Sequence, residues 1–207
     1  MGLEYLHNRQ GLNRSESVKL MFGTAAAVFD AGIAAWAEKR FYDSTRPLQM
    51  IQCLYADQME TTFVTPPFAG YVSGHSTFSG AASEFLRLFF GADSFEGPSC
   101  SLRKEGSSIY EPRLVKGQAG WIAGLTDIPN KGLRTKGYSP AKDLVMCWSN
   151  YTEAALQAGI SRIMGGIHTH SDNVDGMIIG REVGRLAFKE VSKLWTPPQP
   201  EWQEGVP

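Results

Sequence analysis

The chain has 207 residues, with 20 basic and 21 acidic side chains and a net charge of -1. Its length suits one domain, or at most one and a part, and the hydrophobic fraction of 43% and charged fraction of 20% exclude a disordered chain. The balanced charge, with a pI of about 6.4, lacks the usual footprint of nucleic-acid binding, so no nucleic-acid partner is expected.

The first predicted element is one long helix, and nothing before it resembles a targeting signal. The polar start lacks the apolar core of a signal peptide. A helix should run from about Ser15 to Lys39, with Asn13 or Ser15 as its N-cap and these residues on its buried, apolar side: Met21, Ala25, Val28, Phe29, Ile33 and Trp36. The apolar run 21–37 is short for a span of about 20 residues and contains Asp30, expected to be a buried structural carboxylate. We therefore expect a soluble protein without a membrane partner.

Two further helices are predicted before residue 91. Pro47 should open a short helix that continues to about Ala56, because proline fits a first helical turn. A loop rich in Thr and Pro then leads to a strongly apolar helix from about Ser76 to Phe90, closed by Gly91 as its C-terminal cap.

The remaining part of the chain divides into an insert, two helical segments and a tail. Residues 97–147 are rich in glycine and proline and lack periodicity, so we expect a loop-rich insert that is either functional or poorly ordered. Regular structure should resume near Asp143 and continue to Ile163, and a last amphipathic helix should run from about Asn173 to Leu194. Few segments alternate with period two, so the predicted fold class is all-α, with one domain over 1–195 and a tail over 196–207.

The three cysteines are Cys53, Cys100 and Cys147. Their odd number and wide spacing fit neither a disulfide framework nor a zinc site. Each is expected to be a small buried hydrophobic residue.

Two of three chemistry-bearing clusters lie in the first half of the chain. In KRFYDSTRP, Lys39 and Arg46 are seven positions apart, close to two helical turns, so that both can project from one side. At the start of the third predicted helix, Ser73, Gly74 and His75 combine a hydroxyl, a close backbone approach and a helix N-terminus, which together form an anion-binding corner.

The third cluster is SRIMGGIHTHSD, which contains Arg162, His168 and Asp172. Asp172 lies one helical turn past His168 and is placed to hydrogen-bond one ring nitrogen and orient the other. His170 and His7 are expected to be exposed and without a role. Each cluster alone has an ordinary structural explanation, but all three in one order should arise by chance on the order of once in 10⁵ chains.

Read together, the clusters gather three permanent cations, a helix N-terminus and a hydroxyl around two histidines. This set suits a tetrahedral oxyanion, either phosphate or its structural mimic vanadate, because arginine and lysine grip charged oxygens. One histidine can bond the central atom, and the other can transfer protons.

With their surroundings FDAGIAAWAEKRFYDSTRP, PPFAGYVSGHSTFSGAA and EAALQAGISRIMGGIH, the clusters resemble the signature shared by vanadium-dependent haloperoxidases and the type-2 phosphatidic acid phosphatase superfamily. The surrounding sequence favours the haloperoxidase branch, from about Val18 to Lys193 with the insert as an interruption. Val72 stands where the family usually has proline, and we expect only a small change in loop rigidity. The resemblance implies a helical bundle of the haloperoxidase and acid phosphatase type.

The resemblance also implies a role for each site residue. His168 would bond the vanadium of a vanadate cofactor and would be held by Asp172. The oxygens of vanadate would be held by Lys39, Arg46, Arg162, Ser73 and the Gly74 amide. His75 would deprotonate hydrogen peroxide, Lys39 would polarise the bound peroxide, and Trp36 and Phe68 would line the halide pocket, with Phe68 favouring chloride. The partners would be hydrogen peroxide, halide and a small organic acceptor, and the product a hypohalous species.

Two alternatives remain open at this point. The same residues could form a soluble acid phosphatase in which His168 becomes a phosphohistidine and His75 protonates the leaving oxygen. The chain could also be a truncated, non-catalytic oxyanion-binding domain, because family members place a large helical region before the lysine motif and only 38 residues precede Lys39. The chain thus resembles the C-terminal, site-bearing portion of a haloperoxidase, and a homo-oligomer could supply the missing packing.

Overall fold

The computed structural model describes residues 11–55, 61, 63, 65–95, 99–105, 107, 140 and 142–195. Within them the helices are α1 (Arg14–Tyr42), α2 (Pro47–Tyr55), α3 (Gly74–Phe90), α4 (Tyr151–Met164) and α5 (His170–Lys193). Two strands, β1 (Ser99–Arg103) and β2 (Leu144–Trp148), lie between α3 and α4 in the chain. Residue 7 and the tail lie outside the described residues, as does most of the insert.

The predicted all-α helical bundle is confirmed. Helix α3 packs against α1, α4 and α5, and α1 also contacts α5, so α3 lies at the centre of the bundle. The helix ends follow local signals: Asn13 forms a capping box with Glu16 at the start of α1, and Gly91 ends α3 with a φ of 71°. Four of the five predicted helices lie within about three residues of their expected bounds, but the segment expected from Asp143 begins with strand β2, and its helix α4 starts only at Tyr151.

Helices α3 and α5 pack closely against each other through small residues. Three glycines of α5 lie four residues apart, and each faces a backbone carbonyl at the start of α3 or along it: Gly176, Gly180 and Gly184. A Cβ built on Gly180 would lie 2.2 Å from the Thr77 carbonyl oxygen. Glycine is thus required there by close approach of the two helices, and this contact fixes the start of α3 against the start of α5.

The face of α1 that the sequence predicted to be buried is largely exposed. Met21, Ala25, Phe29, Ile33 and Trp36 all lie on the exposed side. The buried side carries mostly small residues: Leu20, Gly23, Thr24, Ala27, Ala31, Ala35 and Lys39. The physical reason is again close packing, since a Cβ on Gly23 would overlap the Phe85 ring, and only small residues let α1 approach α3.

A related expectation about α1 also needs correction. Asp30 is exposed and is not the buried carboxylate that we expected. In addition, an 18-residue window of the apolar helical segment Arg14–Tyr55 has a mean hydropathy of 1.5 and is only 33% buried. This segment is long and apolar enough to cross a membrane, but the core helix of a soluble protein can have the same length and composition, so the expectation of no membrane partner stays a prediction.

The prediction of three buried cysteines was wrong. Cys100 on β1 and Cys147 on β2 form a disulfide, and both are exposed, as is the free Cys53. The two strands pair antiparallel, with Ser99 opposite Trp148 and Cys100 directly opposite Cys147. Sequence spacing could not show this pairing, because 47 positions separate the two cysteines. The two ends of the insert are thus joined by a strand pair and a covalent bond.

Glu84 is a buried carboxylate in α3 that ties this helix to α5. It is 1% exposed and accepts hydrogen bonds from Arg87 at 2.7 and 3.0 Å, from Arg185 at 2.8 Å and from Arg181 at 3.4 Å. The hydrogen bonds from Arg87 outweigh the effect of burial and, with the nearby arginine charges, lower the pKa of Glu84 from 4.5 to about 2. Ionised Glu84 is therefore favoured in the folded state.

Glu84→Gln is expected to lower the free energy of unfolding at pH 7 by about 2–3 kcal/mol, because three arginines lose their shared carboxylate. The folded pKa lies below the unfolded one, so this contribution is present above pH 4.5 and is lost as the pH falls towards 2. Urea denaturation at pH 7 and pH 3 measures the difference. Glu190→Gln, which removes an exposed partner of Lys193, is the control and should leave stability nearly unchanged. A Glu84 effect that does not shrink at low pH would contradict the argument.

Candidate functional site

The site predicted from the sequence is assembled where the ends of α1, α3, α4 and α5 meet. Hydrogen bonds connect the buried members of the site. The rings of Trp36 and Phe68 contact each other, and His75 lies close enough to Arg162 to interact with its charge. These ten residues are Trp36, Lys39, Arg46, Phe68, Ser73, Gly74, His75, Arg162, His168 and Asp172.

Lys39 and Arg46 reach the site by a route that the sequence did not predict. Helix α1 ends at Tyr42, and Asp43 follows in the left-handed region with a φ of 41°. Arg46 consequently lies outside the helices, before Pro47, and does not share a helix face with Lys39. A turn, and not two turns of continuous helix, brings both cations against residues 68–72.

Lys39 clamps the segment that leads into α3. Its side chain is buried, and Nζ donates to the carbonyl oxygens of Ala69 and Gly70 at 2.9 Å and of Val72 at 2.5 Å. Burial, followed by the charge of Arg46, lowers the pKa of Lys39 to about 8. Since an ammonium has three hydrogens, all of its donors are used on backbone carbonyls, which fix the position of the following Ser73.

Arg46 carries an unsatisfied donor in the middle of the site. Its Nε donates to the Phe68 carbonyl oxygen and its Nη1 to that of Ile167, both at 2.8 Å. Nη1 also lies 3.0 Å from His168 Nε2. Nη2 is buried and has no hydrogen-bond partner among the described residues. A buried guanidinium nitrogen without an acceptor is costly, and a bound anion would satisfy it.

His168 is held as a neutral ring with a defined tautomer. Its Nδ1 lies 2.9 Å from Oδ2 of Asp172, so we assign the proton to Nδ1. Burial lowers the pKa of His168 below 6.5, and the charges of Arg46 and Lys39 add to this effect. Nε2 therefore presents its lone pair next to Arg46, as a ligand nitrogen should.

Asp172 connects three parts of the site. Burial alone would raise the pKa of Asp172, but hydrogen bonds from His168 and from Thr169 hold it below 3.8. The Thr169 amide donates to Oδ2 at 3.1 Å, as part of the capping box of α5. The Asp172 carbonyl oxygen accepts from the Ser73 amide at 2.9 Å. The predicted hydrogen bond to His168 is confirmed, and the link to Ser73 was not foreseen.

Ser73 and Gly74 form the start of α3. Ser73 is fully buried and is the N-cap, although its hydroxyl lies a long 3.4 Å from the Ser76 amide. Gly74 is the first helical residue, and a Cβ placed on it would meet the Trp36 ring at 3.5 Å. The helix N-terminus, with its free amides and partial positive charge, is thus placed beside the aromatic residues of the site.

His75 and Arg162 lie close enough to each other to interact electrostatically. Loss of hydration, followed by the positive charges of Arg162 and His168, lowers the pKa of His75 to about 4. His75 is exposed and makes no hydrogen bond within the described part of the chain. The Arg162 guanidinium lies 4.7 Å from the centre of the Phe63 ring. His75 is therefore a neutral base at pH 7, close to the cationic side chains.

An aromatic wall, consisting of Trp36, Phe68 and Phe78, borders the cations. The Trp36 ring lies 5.3 Å from Phe68 and stacks on Phe78 at 6.2 Å. Lys39 Nζ lies 5.4 Å from the Phe68 centroid and 5.8 Å from that of Trp36. Phe78 was missed by the sequence analysis, although its position one turn after His75 on the same helix is the signal that points to it.

The arrangement suits an anion with several charged oxygens. The described residues contain no group of three His, Cys, Asp or Glu side chains that could hold a metal cation. They contain instead guanidinium groups, an ammonium, a helix N-terminus and a histidine lone pair. These donors fit a tetrahedral oxyanion, and the histidine can bond its central atom.

The sequence matches the family described as VCPO second helical-bundle domain over residues 19–66 and 59–197. It is 30% identical over 94 residues to the vanadium chloroperoxidase of Curvularia inaequalis. Among solved structures, a bacterial vanadium-dependent iodoperoxidase superposes with a TM-score of 0.65 at 24% identity. The holo-type bacterial vanadium-dependent chloroperoxidase also gives 0.65, at 22% identity.

These likenesses span only part of each relative. The match covers 91% of this chain and 37% of the iodoperoxidase, and 84% of this chain and 35% of the bacterial chloroperoxidase. For the Curvularia enzyme the shares are 38% of this chain and 15% of the relative. The two structural matches therefore establish the fold.

Proposed function

The chain belongs to the family of VCPO second helical-bundle domains, and we propose that it binds vanadate and oxidises halide with hydrogen peroxide. The observation that carries the proposal is the pair of buried nitrogens at the centre of the site. His168 Nε2 holds a lone pair, and Arg46 Nη2, on the guanidinium beside it, has a hydrogen without an acceptor among the described residues. A bound oxyanion would give Nη2 an acceptor, and its electrophilic central atom would take the place of Arg46 Nη1 at the Nε2 lone pair.

Different residues would hold the vanadium and the oxygens of vanadate. His168 would bond the metal, oriented by Asp172, and the oxygens would be held by Arg46, Arg162, the Ser73 hydroxyl and the Gly74 amide. Lys39 contributes positive charge and fixes the segment before Ser73 through three carbonyl contacts. When bound, vanadate supplies a Lewis-acidic centre that activates hydrogen peroxide towards halide without changing its oxidation state.

His75 is the proton acceptor in this proposal. Its pKa of about 4 keeps the ring neutral at pH 7, so it is able to take a proton from hydrogen peroxide. The exposed edge of Phe68, with the Trp36 ring beside it, would receive the halide and the organic acceptor. Phe68 also lies 5.0 Å from the Arg46 guanidinium carbon, which keeps this aromatic surface close to the cations.

The test is halide-dependent oxidation of a phenol indicator by hydrogen peroxide, with and without orthovanadate. Wild-type protein should need vanadate, and His168→Ala should lose at least about 100-fold in rate, because the metal ligand is removed. His170→Ala is the matched control: it changes an exposed histidine two positions away and should retain full activity. Vanadate-independent activity, or an unaffected His168→Ala variant, would overturn the proposal.

The acid phosphatase alternative uses the same His168 Nε2 as a nucleophile towards phosphorus. It requires a protonated His75 to donate to the leaving oxygen, whereas the pKa of about 4 leaves His75 neutral at pH 7. In the site without a bound anion, this protonation state favours the role of a base. Hydrolysis of para-nitrophenyl phosphate that vanadate inhibits would support the phosphatase. Vanadate binding without either activity would identify a non-catalytic oxyanion-binding domain.

A further inference from the structure

A continuous apolar surface runs along the side of α1 that faces away from the bundle. We call it the α1 stripe, and it consists of Val18, Met21, Phe22, Ala25, Phe29, Ile33 and Trp36. The six larger side chains are 46–69% exposed. The spacing of three or four residues places them on one face, and the distance from Val18 to Trp36 along the axis is about 27 Å. The opposite face of the helix is the one buried against α3.

The stripe is as large as the largest exposed apolar patches of ordinary monomers. If an aromatic side chain offers about 200 Å² and an aliphatic one about 150 Å², the exposed fractions of the six larger residues leave roughly 600 Å² of apolar surface open. The largest patch on a typical monomer covers about 300–600 Å², and a stable interface buries about 800 Å² on each partner. Two copies of the stripe would together bury about 1,200 Å², which is the lower end of the range for a specific interface.

The order of side-chain sizes along the stripe makes it complementary to itself. A two-fold axis at the level of residue 27 would place a second α1 antiparallel to the first. It would pair Ala25 with the partner's Phe29 and Val18 with the partner's Trp36. Each of these pairs joins a smaller residue to an aromatic ring, as interlocking helix surfaces require. Met21 would meet the partner's Ile33, two flexible or branched chains of similar volume.

We infer that the α1 stripe is the interface of a symmetric homodimer in which two α1 helices pack antiparallel. The inference does not depend on the proposed function, but it has a consequence for the site. Trp36 ends the stripe and also stacks on Phe78 and contacts Phe68 in the aromatic wall. The second copy would cover the exposed part of Trp36, so dimer formation would complete this wall on the side away from the bundle.

Light scattering coupled to size-exclusion chromatography of the full chain tests the inference. The expected mass is twice 22.8 kDa, and it should fall towards 22.8 kDa on dilution. Phe29→Lys, at the centre of the stripe, should weaken association at least about 30-fold, as expected for a central aromatic residue. Leu156→Lys on α4, which also places a charge on an exposed apolar residue, is the matched control and should remain dimeric.

Exchanging the side-chain sizes at positions 25 and 29 makes the test specific for the antiparallel arrangement. Ala25→Phe sets two rings against each other, Phe29→Ala leaves a gap, and each alone should weaken the dimer. The double variant exchanges the two sizes and should regain association, with circular dichroism confirming that each variant is folded. A monomeric wild-type chain at all concentrations would overturn the inference, and so would a monomer that instead sediments with phospholipid vesicles. Failure of the double variant to recover would overturn the antiparallel packing.

Discussion

Asp172→Asn is expected to weaken vanadate binding by at least about 100-fold and to reduce halide oxidation by the same factor or more. In the wild-type protein, the Asp172 carboxylate accepts from Nδ1 of His168, which keeps the lone pair on Nε2. An asparagine amide group in the same place would donate to Nδ1 and move the ring proton to Nε2. Nε2 would then face Arg46 Nη1, itself a donor, at 3.0 Å. Loss of the correct tautomer in a buried histidine typically costs about 10²–10⁴-fold in activity or ligand affinity.

The affinity for vanadate is measured by isothermal titration calorimetry, and the rate of halide oxidation is measured in parallel. Asp175→Asn is the matched control, because Asp175 lies one turn further along α5 and interacts with Tyr71 instead of His168. It should change vanadate affinity by less than about threefold. Oδ2 of Asp172 accepts from both Nδ1 of His168 and the Thr169 amide, so the NH2 group that takes its place removes this N-cap bond, and the loss of stability should be about 1 kcal/mol in urea denaturation. Wild-type affinity in Asp172→Asn would show that the tautomer does not control binding.

The sequence predicted the helices well because their ends carry local signals. Asn13 with Glu16, Pro47 and Gly91 act within one helical turn, and such contacts are readable from neighbouring residues. The buried face of α1 could not be predicted in the same way, because the helix is apolar on both sides. Which side is buried depends on how closely α1 can pack against α3, and small residues allow a closer approach than large ones.

The candidate site was also only partly accessible from the sequence. The hydrogen bond between His168 and Asp172 spans four residues and was predicted. The clamp of Lys39 was not, because its acceptors are backbone carbonyls some 30 positions away, and every residue has a carbonyl. The Cys100–Cys147 disulfide was missed for a similar reason, since it depends on the strand register. Long-range contacts to the backbone leave no side-chain pattern to detect.

Gly180→Ala is expected to lower the free energy of unfolding by about 3–5 kcal/mol, even though alanine favours the helix by about 1 kcal/mol over glycine. The added Cβ would lie 2.2 Å from the Thr77 carbonyl oxygen and 3.0 Å from its Cα. These atoms belong to the backbone of α3 and cannot rotate away, so α5 must move outward as a unit. The substitution does not act through backbone strain, because Gly180 lies in regular helix and has no positive φ.

The same displacement should reach the site. The Ser73 amide donates to the Asp172 carbonyl oxygen at 2.9 Å, so a separation of α3 from α5 pulls the oxyanion corner away from His168. Vanadate affinity should therefore fall in Gly180→Ala even at temperatures where the chain remains folded. Ala187→Gly, which removes one methyl group from the same buried side of α5, is the control and should cost only about 1–2 kcal/mol without loss of vanadate affinity. Urea denaturation monitored by circular dichroism measures the stability of both variants, and vanadate titration measures their affinity. Equal stability and affinity in the two variants would mean that the α3–α5 contact can relax without disturbing the site.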